Sequence, residues 1–478
     1  MVIIQLSIID GMKNRKITMA RLNRKKLTLT SLSLFLGLIS FSTVGVAQQS
    51  LVQKQVPATL AGHAVLSVDT TVPTPKDAPS DMQKSGKYTT GTRVDTLGKV
   101  EGKSDGRPTG KFIPINGQPL QGHSGIKRME DGTYWVLTDN GFGNKMNSPD
   151  SMLYLTQYDI DFKSGKVNPL KTVFFHDPDK IIPFHIINES SQQRYLTGSD
   201  FDPESFQFSN GALWVGDEFG PYLIKMDLEG KVLALFETQV EGKKVVSPDH
   251  YTLTTPGKPT EKVTFQVNRS KGFEGMASSP DGTKLYPMLE GALWQEAKQD
   301  YENVNGKKAA RILEFDVRQQ DWTGRSWLYV FEDNQNAIGD FNLIDDTHGL
   351  IIERDNGEGT ADKGCPENAT NKENCFSNLA KFKRVYRIEF SDKNVGGAVD
   401  KQAYIDLMNI QDSNQLAKKP LNNGVFTFPF FTIENVDIVD GEHIIVGNDN
   451  NYPFSSSREP NQADDNEFIL LKVPELLK

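Results

Sequence analysis

Five times along this chain an acidic or small polar residue is followed, about fifteen positions later, by a second acidic residue at the end of an apolar run. The copies begin at Gly122-His-Ser-Gly, Asp202-Pro-Glu-Ser, Gly272-Phe-Glu-Gly, Ile338-Gly-Asp-Phe and Ile433-Glu-Asn-Val. Their second halves are Thr138-Asp-Asn-Gly, Gly216-Asp-Glu-Phe-Gly, Met288-Leu-Glu-Gly, Glu353-Arg-Asp-Asn and Gly447-Asn-Asp-Asn. If one unit is repeated, its carboxylates recur at one place and meet in space. Carboxylates within a few ångströms repel one another unless protonated or bound to a cation. Hard oxygen donors on loops suit Ca²⁺, which takes 6–8 oxygens. The expected cofactor is therefore Ca²⁺, held by Asp139, Glu204, Asp217, Glu290, Asp355, Glu434 and Asp449. Glu218, Glu274 and Arg354 are the expected catalytic groups. For any one of these acids, capping a turn is the more ordinary role; for the set, recurrence favours the metal.

Basic residues flank the acids. Guanidinium forks match phosphate oxygens in two-point geometry. Arg269, Lys271 and Arg128 are candidate substrate contacts, with His123 beside Ser124 at the channel mouth. The same cations could serve as ion-pair partners of the acids. Arg354 stands out because it lies inside the repeated motif. No Gly-x-Ser-x-Gly elbow, His-Glu-x-x-His, Walker loop or dinucleotide fingerprint is present.

The elements that must position these groups read as β-strands. Short apolar runs follow turn signals: Tyr134-Trp-Val-Leu-Thr after Asp131-Gly, Ala212-Leu-Trp-Val after Asn210-Gly, Lys284-Leu-Tyr after Asp281-Gly, Ile444-Ile-Val after Asp440-Gly. Such dipeptides supply the positive φ of tight hairpins. A third and a fourth strand follow in most units, as in Tyr222-Leu-Ile-Lys-Met-Asp and Val232-Leu-Ala-Leu-Phe. Four antiparallel strands repeated radially make an all-β protein, a β-propeller. Five blades are visible. Residues 91–115 would complete a sixth with the C-terminal strands, so six blades are favoured, with five or seven open. First strands lie innermost, which turns Glu204, Glu274, Asp340 and Glu434 toward the channel.

Outside the propeller, placed at 85–478, residues 48–84 are Pro-rich and aperiodic and read as a linker or tail. Residues 1–47 read as a secretory signal peptide with an N-terminal extension: Arg21, Arg24, Lys25 and Lys26 precede an apolar stretch ending at Gly45-Val-Ala, with cleavage expected after Ala47. Beyond Ala47 the chain has 46 basic and 61 acidic residues, a net charge of −15. That charge argues against a nucleic-acid partner. After cleavage no membrane association is expected, and a monomer is. In an oxidising compartment Cys365 and Cys375 are expected to form a disulfide.

One series is more specific: Asp202-Pro-Glu-Ser, Leu213-Trp-Val-Gly-Asp-Glu-Phe-Gly-Pro-Tyr, Asn268-Arg-Ser-Lys-Gly-Phe-Glu-Gly-Met, then Ser279-Pro-Asp-Gly. In order and spacing it resembles the exported bacterial family called "esterase-like activity of phytase", over most of residues 110–475. The string from Asn268 to Phe273 is longer than the Asn-Arg-Gly-Phe expected of the family, which puts Arg269 out of step. The resemblance implies a propeller and a calcium-dependent phosphoesterase, secreted or periplasmic, using a metal-activated water on a small phosphomonoester or phosphodiester. The few Lys and Arg near the acids favour a small phosphate ester over phytate, or no catalysis. Two other readings share the architecture: a non-catalytic binding propeller with structural calcium, and a calcium-dependent ester or lactone hydrolase.

Overall fold

A computed structural model describes residues 53–478. Five four-stranded antiparallel sheets carry the fold. Sheet I comprises His123–Arg128, Tyr134–Thr138, Tyr154–Asp161 and Lys166–Phe174. Sheet II comprises Pro203–Ser209, Ala212–Asp217, Tyr222–Met226 and Val232–Glu237. Sheet III comprises Phe273–Ser278, Lys284–Leu289, Lys307–Asp316 and Asp321–Val330. Sheet IV comprises Ala337–Leu343, His348–Arg354, Lys383–Glu389 and Asp400–Asp406. Sheet V comprises Thr432–Ile438, His443–Asp449 and Asn466–Lys472, and its outer strand is Thr59–Leu66 from the other end of the chain.

Each hairpin forms where its turn residues allow it. In sheet II, Asn210 and Gly211 both have positive φ, 50° and 72°, and join Ser209 directly to its partner Ala212. The sheets then pack face to face in sequence. Leu137 and Leu155 of sheet I meet Phe206 and Val215 of sheet II. Trp214 and Leu223 meet Met276 and Phe315 of sheet III. Met288 and Trp327 meet Phe341 and Tyr386 of sheet IV. Leu350 and Val385 meet Val436 and Ile469 of sheet V. Ile445 and Phe468 of sheet V return to Ile126 and Tyr158 of sheet I. Every sheet is thus apolar on both faces, and the interfaces close a propeller-like ring with the first strands innermost.

Two expectations are corrected here. The described residues hold five four-stranded sheets, not six: Val100–Ser104 and Arg107–Ile113, expected in a sixth, form a separate two-stranded hairpin. The stretch read as a linker carries the strand that completes sheet V, and Lys54–Gln55 pairs with the edge of sheet IV. Thr59–Leu66 keeps Leu60, Ala64 and Leu66 buried. Its outer face is covered too, where His63 bonds Glu467 at 3.1 Å and accepts from the Lys418 N–H. The disulfide Cys365–Cys375 is present, in the loop after sheet IV's second strand. The segment expected as a signal peptide lies outside the described residues.

Candidate metal centre

In all five sheets the pairing of first and second strands slips by one residue at the same place. Such a bulge re-aims the extra side chain. The register makes that residue Ser124, Glu204, Glu274, Gly339 and Glu434 in sheets I to V. At the end of the second strand the register aligns a second set: Asp139, Glu218, Glu290, Arg354 and Asp449. The channel mouth is therefore lined by two rings of five.

This register differs from the one inferred from acid types. Asp340 is not the sheet IV counterpart of Glu204; Gly339 is, and a Cβ on it would lie 2.3 Å from the Ile433 carbonyl oxygen. Asp217 and Asp355 each stand one residue out of the second ring, where Glu218 and Arg354 belong. Both are turn caps. Asp217 accepts from the backbone N–H of Asp202 at 2.8 Å and of Gly220 at 2.7 Å. Asp355 accepts from Gly357, Lys381 and Phe382 N–H and pairs with buried Lys383 at 3.0 Å. Both oxygens of each carboxylate are engaged by these donors. Asp139 and Asp449 sit in the ring and accept from Gly141 N–H and Asn451 N–H, each at 2.7 Å, and the second oxygen of Asp449 accepts from the Thr432 hydroxyl at 3.4 Å.

The remaining acids converge. Three overlapping triads have ligand oxygens within 4.8 Å of one another: Asp202, Glu204 and Glu218; Glu204, Glu274 and Glu434; Glu218, Glu274 and Glu290. Asp202 belongs to this cluster without being among the residues expected from sequence, although it stands two residues before the bulged Glu204. Two of these buried residues have an oxygen without a hydrogen-bond partner, Oδ1 of Asp202 and Oε1 of Glu218. Burial first, and neighbouring carboxylates second, push Glu204, Glu218 and Glu274 well above the ordinary carboxylate range. Asp449 is raised in the same way, and Asp139 is pushed up to about 8. Burial also raises Glu434, opposed by Arg354. Among the described residues, two cations compensate directly. Arg354 donates to Glu434 at 3.2 Å, and Lys271 pairs with Glu290. Eight carboxylates therefore share two basic partners, an excess that suits a divalent cation with oxygen ligands.

Beside the rings opens a pocket of about 300 Å³. Lys271, Glu290 and Arg354 form its inner edge; Phe431, Tyr301, Asn268 and Gln335 line its walls. It lies on the side of sheet IV, the one sheet without a carboxylate in either ring. The Arg354 guanidinium stands 5.5 Å from the Phe431 ring centre, and its Nε has no partner.

Three expected substrate contacts lie elsewhere. Arg269 is exposed and pairs with Asp249 at 3.1 Å. Arg128 follows the inner strand of sheet I toward the opposite end of the channel, its N–H bonded to Asp437 at 2.7 Å. His123 is buried between strands, 3.0 Å from the Tyr158 hydroxyl, and burial lowers its pKa to about 3. Adjacent strand residues face opposite ways, so Ser124 takes the channel and His123 the core.

The sequence profile described as "Phytase-like: Esterase-like activity of phytase" matches residues 118–452, which span all five inner strands and both rings. The chain belongs to this phytase-like family. A curated relative, an uncharacterized secreted protein of Arthroderma benhamiae, is 34% identical over 128 residues, 24% of each chain. The chain thus spans about a quarter of that relative's length. Among solved structures, a protein of unknown function from Dyadobacter fermentans matches with a TM-score of 0.36 at 8% identity, over 87% of this chain and 99% of that one. The calcium-binding protein regucalcin of Agrobacterium tumefaciens matches with a TM-score of 0.34 at 14% identity, over 74% and 92%. No helix among the described residues is long and apolar enough to cross a membrane.

Proposed function

We propose that this phytase-like protein is an exported, calcium-dependent phosphoesterase acting on a small phosphomonoester or phosphodiester. The observation that carries the reading is the excess of buried carboxylates, two with unpartnered oxygens, beside a pocket edged by Arg354 and Lys271. Membership of a family suggesting hydrolase activity agrees with it, and so does the secreted relative.

Glu204, Glu274 and Glu434, one from each of three sheets, would hold the cation, with Asp202 beside them. A calcium ion bound there supplies a Lewis acid for a phosphoryl oxygen and a water of lowered pKa. Arg354, fixed by Asn356 at 3.0 Å and by the Phe431 ring, is placed to bind a phosphate oxygen. Oε1 of Glu218, unpartnered and with a raised pKa, would accept a proton from the attacking water. The pocket accommodates the leaving group. Its basic lining is limited to Arg354, Lys271 and Lys308, the first two already paired with carboxylates, which suits one phosphate better than several.

The test is hydrolysis of a generic phosphomonoester, a generic phosphodiester and a carboxylic ester by chelator-stripped protein, with and without Ca²⁺. Calcium-restored phosphate release, lost in Glu218→Gln, supports the reading. Turnover of the carboxylic ester alone would make the protein an ester hydrolase. Calcium binding without turnover of any of the three would leave a binding propeller.

A further inference from the structure

The two basic groups at the pocket edge are each bound to a corner of a carboxylate triad. Arg354 bonds Glu434 of the axial triad, and Lys271 bonds Glu290 of the neighbouring one. Arg354 is only 5% exposed, yet its Nε donor has no partner. A buried guanidinium donor left unpaired costs free energy unless a ligand completes it. Arg354 and Lys271 both line the pocket, so the missing acceptor would come from an anionic group there. Both cations are at present neutralised by the carboxylates that a metal would take.

We infer that Arg354 and Lys271 form an anion subsite that opens when a divalent cation occupies the triads. The inference rests on the calcium reading above. A cation on Glu204, Glu274 and Glu434 draws on the charge of Glu434 and loosens its hold on Arg354. A cation reaching Glu290 does the same for Lys271. The freed guanidinium and ammonium then face the pocket with no carboxylate to satisfy them. Without the cation, an anion entering the pocket meets Glu290 at its edge and Glu434 behind Arg354, and is repelled. Binding is therefore ordered, cation before anion. Coupling between two sites is reciprocal, so an anion that tightens under calcium must tighten calcium by the same factor.

Titration calorimetry tests this with phenylphosphonate, a non-hydrolysable phosphomonoester mimic, as the probe. In chelator, phenylphosphonate is expected to bind at least tenfold more weakly than in saturating Ca²⁺. Saturating phenylphosphonate is expected to lower the apparent calcium Kd by the same factor. Arg354→Gln is expected to lose the anion and keep calcium. Glu434→Gln, which removes the negative charge that neutralises Arg354, is expected to bind phenylphosphonate with much less dependence on calcium. Equal anion affinity with and without calcium would overturn the inference while leaving the cation reading intact. So would calcium-dependent anion binding that survives Arg354→Gln combined with Lys271→Gln, because the ion or Lys308, the other cation of the pocket lining, would then hold the anion. Absence of calcium binding to the unaltered protein would overturn both.

Discussion

The two ends of the central channel are built from the same five inner strands, and they treat buried polar groups in opposite ways. At the end away from the pocket every charge is answered. Asp340 accepts from the N–H groups of Phe341, Val436 and Ile126 at 2.8, 3.0 and 3.3 Å. Asn342 accepts from Gln207 and Lys127 and donates to the Val436 carbonyl. Gln207 donates in turn to the Met276 carbonyl, and Asp437 takes Lys127 and the Arg128 N–H. One network thus ties all five sheets together. At the other end, eight carboxylates share Arg354 and Lys271, and two oxygens have no partner. A satisfied buried network specifies a fold; an unsatisfied one costs free energy unless something binds it. The contrast assigns the first end to architecture and the second to a ligand.

The largest effect expected is on turnover. Arg354→Gln removes the one buried guanidinium at the mouth, and phosphoester hydrolysis should fall by about 10²–10³-fold, the scale of losing a preorganised oxyanion contact. The melting temperature should change far less, and steady-state kinetics beside a thermal melt reads both. Next, single substitutions at the two ends should have opposite signs in chelator. Asp340→Ala leaves buried N–H groups unpaired and should cost about 3 kcal/mol, with or without calcium. Glu274→Gln removes one like charge from the mouth and should raise the stability of the chelated protein while abolishing its calcium response. Chemical denaturation of both variants checks the pair; destabilisation of the same size in each would erase the distinction between the ends.

The pH dependence sharpens the same comparison. Burial, with neighbouring acids, raises Asp139 to about 8, well above the unfolded carboxylate value of about 3.9. A carboxyl raised on folding holds its proton more tightly in the folded state. Its contribution is complete below the unfolded pKa and is lost as pH rises through the folded one. The melting temperature of chelated protein should therefore fall between about pH 4 and pH 8, and calcium should flatten that fall. Glu467, remote from the mouth, runs the other way. Burial alone would raise it, but Arg458 at 2.6 Å and His63 hold it low. Its contribution is present above the unfolded value of about 4.3 and is lost as pH falls further, with no calcium dependence. The smallest effect belongs to Arg269→Ala. That exposed ion pair should contribute less than about 1 kcal/mol, and turnover should be unchanged.

Much of this was legible in the residues. Asp-Gly and Asn-Gly turns marked the hairpins, and the recurring acids marked the mouth. Glu204, Glu218, Glu274, Glu290, Glu434 and Arg354 all stand where chemistry is possible. What could not be read depends on pairing between distant segments. Thr59–Leu66 looks aperiodic because both its faces are covered, and its partner Asn466–Lys472 lies at the far end of the chain. The hairpin within 91–115 carries strand signals but has no inner strand to join. Residue type also hid the register. A bulge shifts the channel-facing position by one, so by residue type Asp340, Asp217 and Asp355 resemble the acids of the rings while standing outside them as caps and pins. Asp202 lay in plain view, but its role appears only when the bulge turns Glu204 toward it and toward Glu218.

The most direct test of the account is the melting temperature of chelator-stripped protein at pH 7.5, measured with and without millimolar Ca²⁺. A cation that binds only the folded state stabilises it by about 2.7 kcal/mol at a hundred times its Kd. The expected result is a calcium-dependent rise of several degrees that disappears in Glu274→Gln and persists in Asp355→Asn, the turn cap. A melting temperature indifferent to calcium, or a rise that Glu274→Gln leaves in place, would contradict the assignment of the carboxylate mouth as a metal centre.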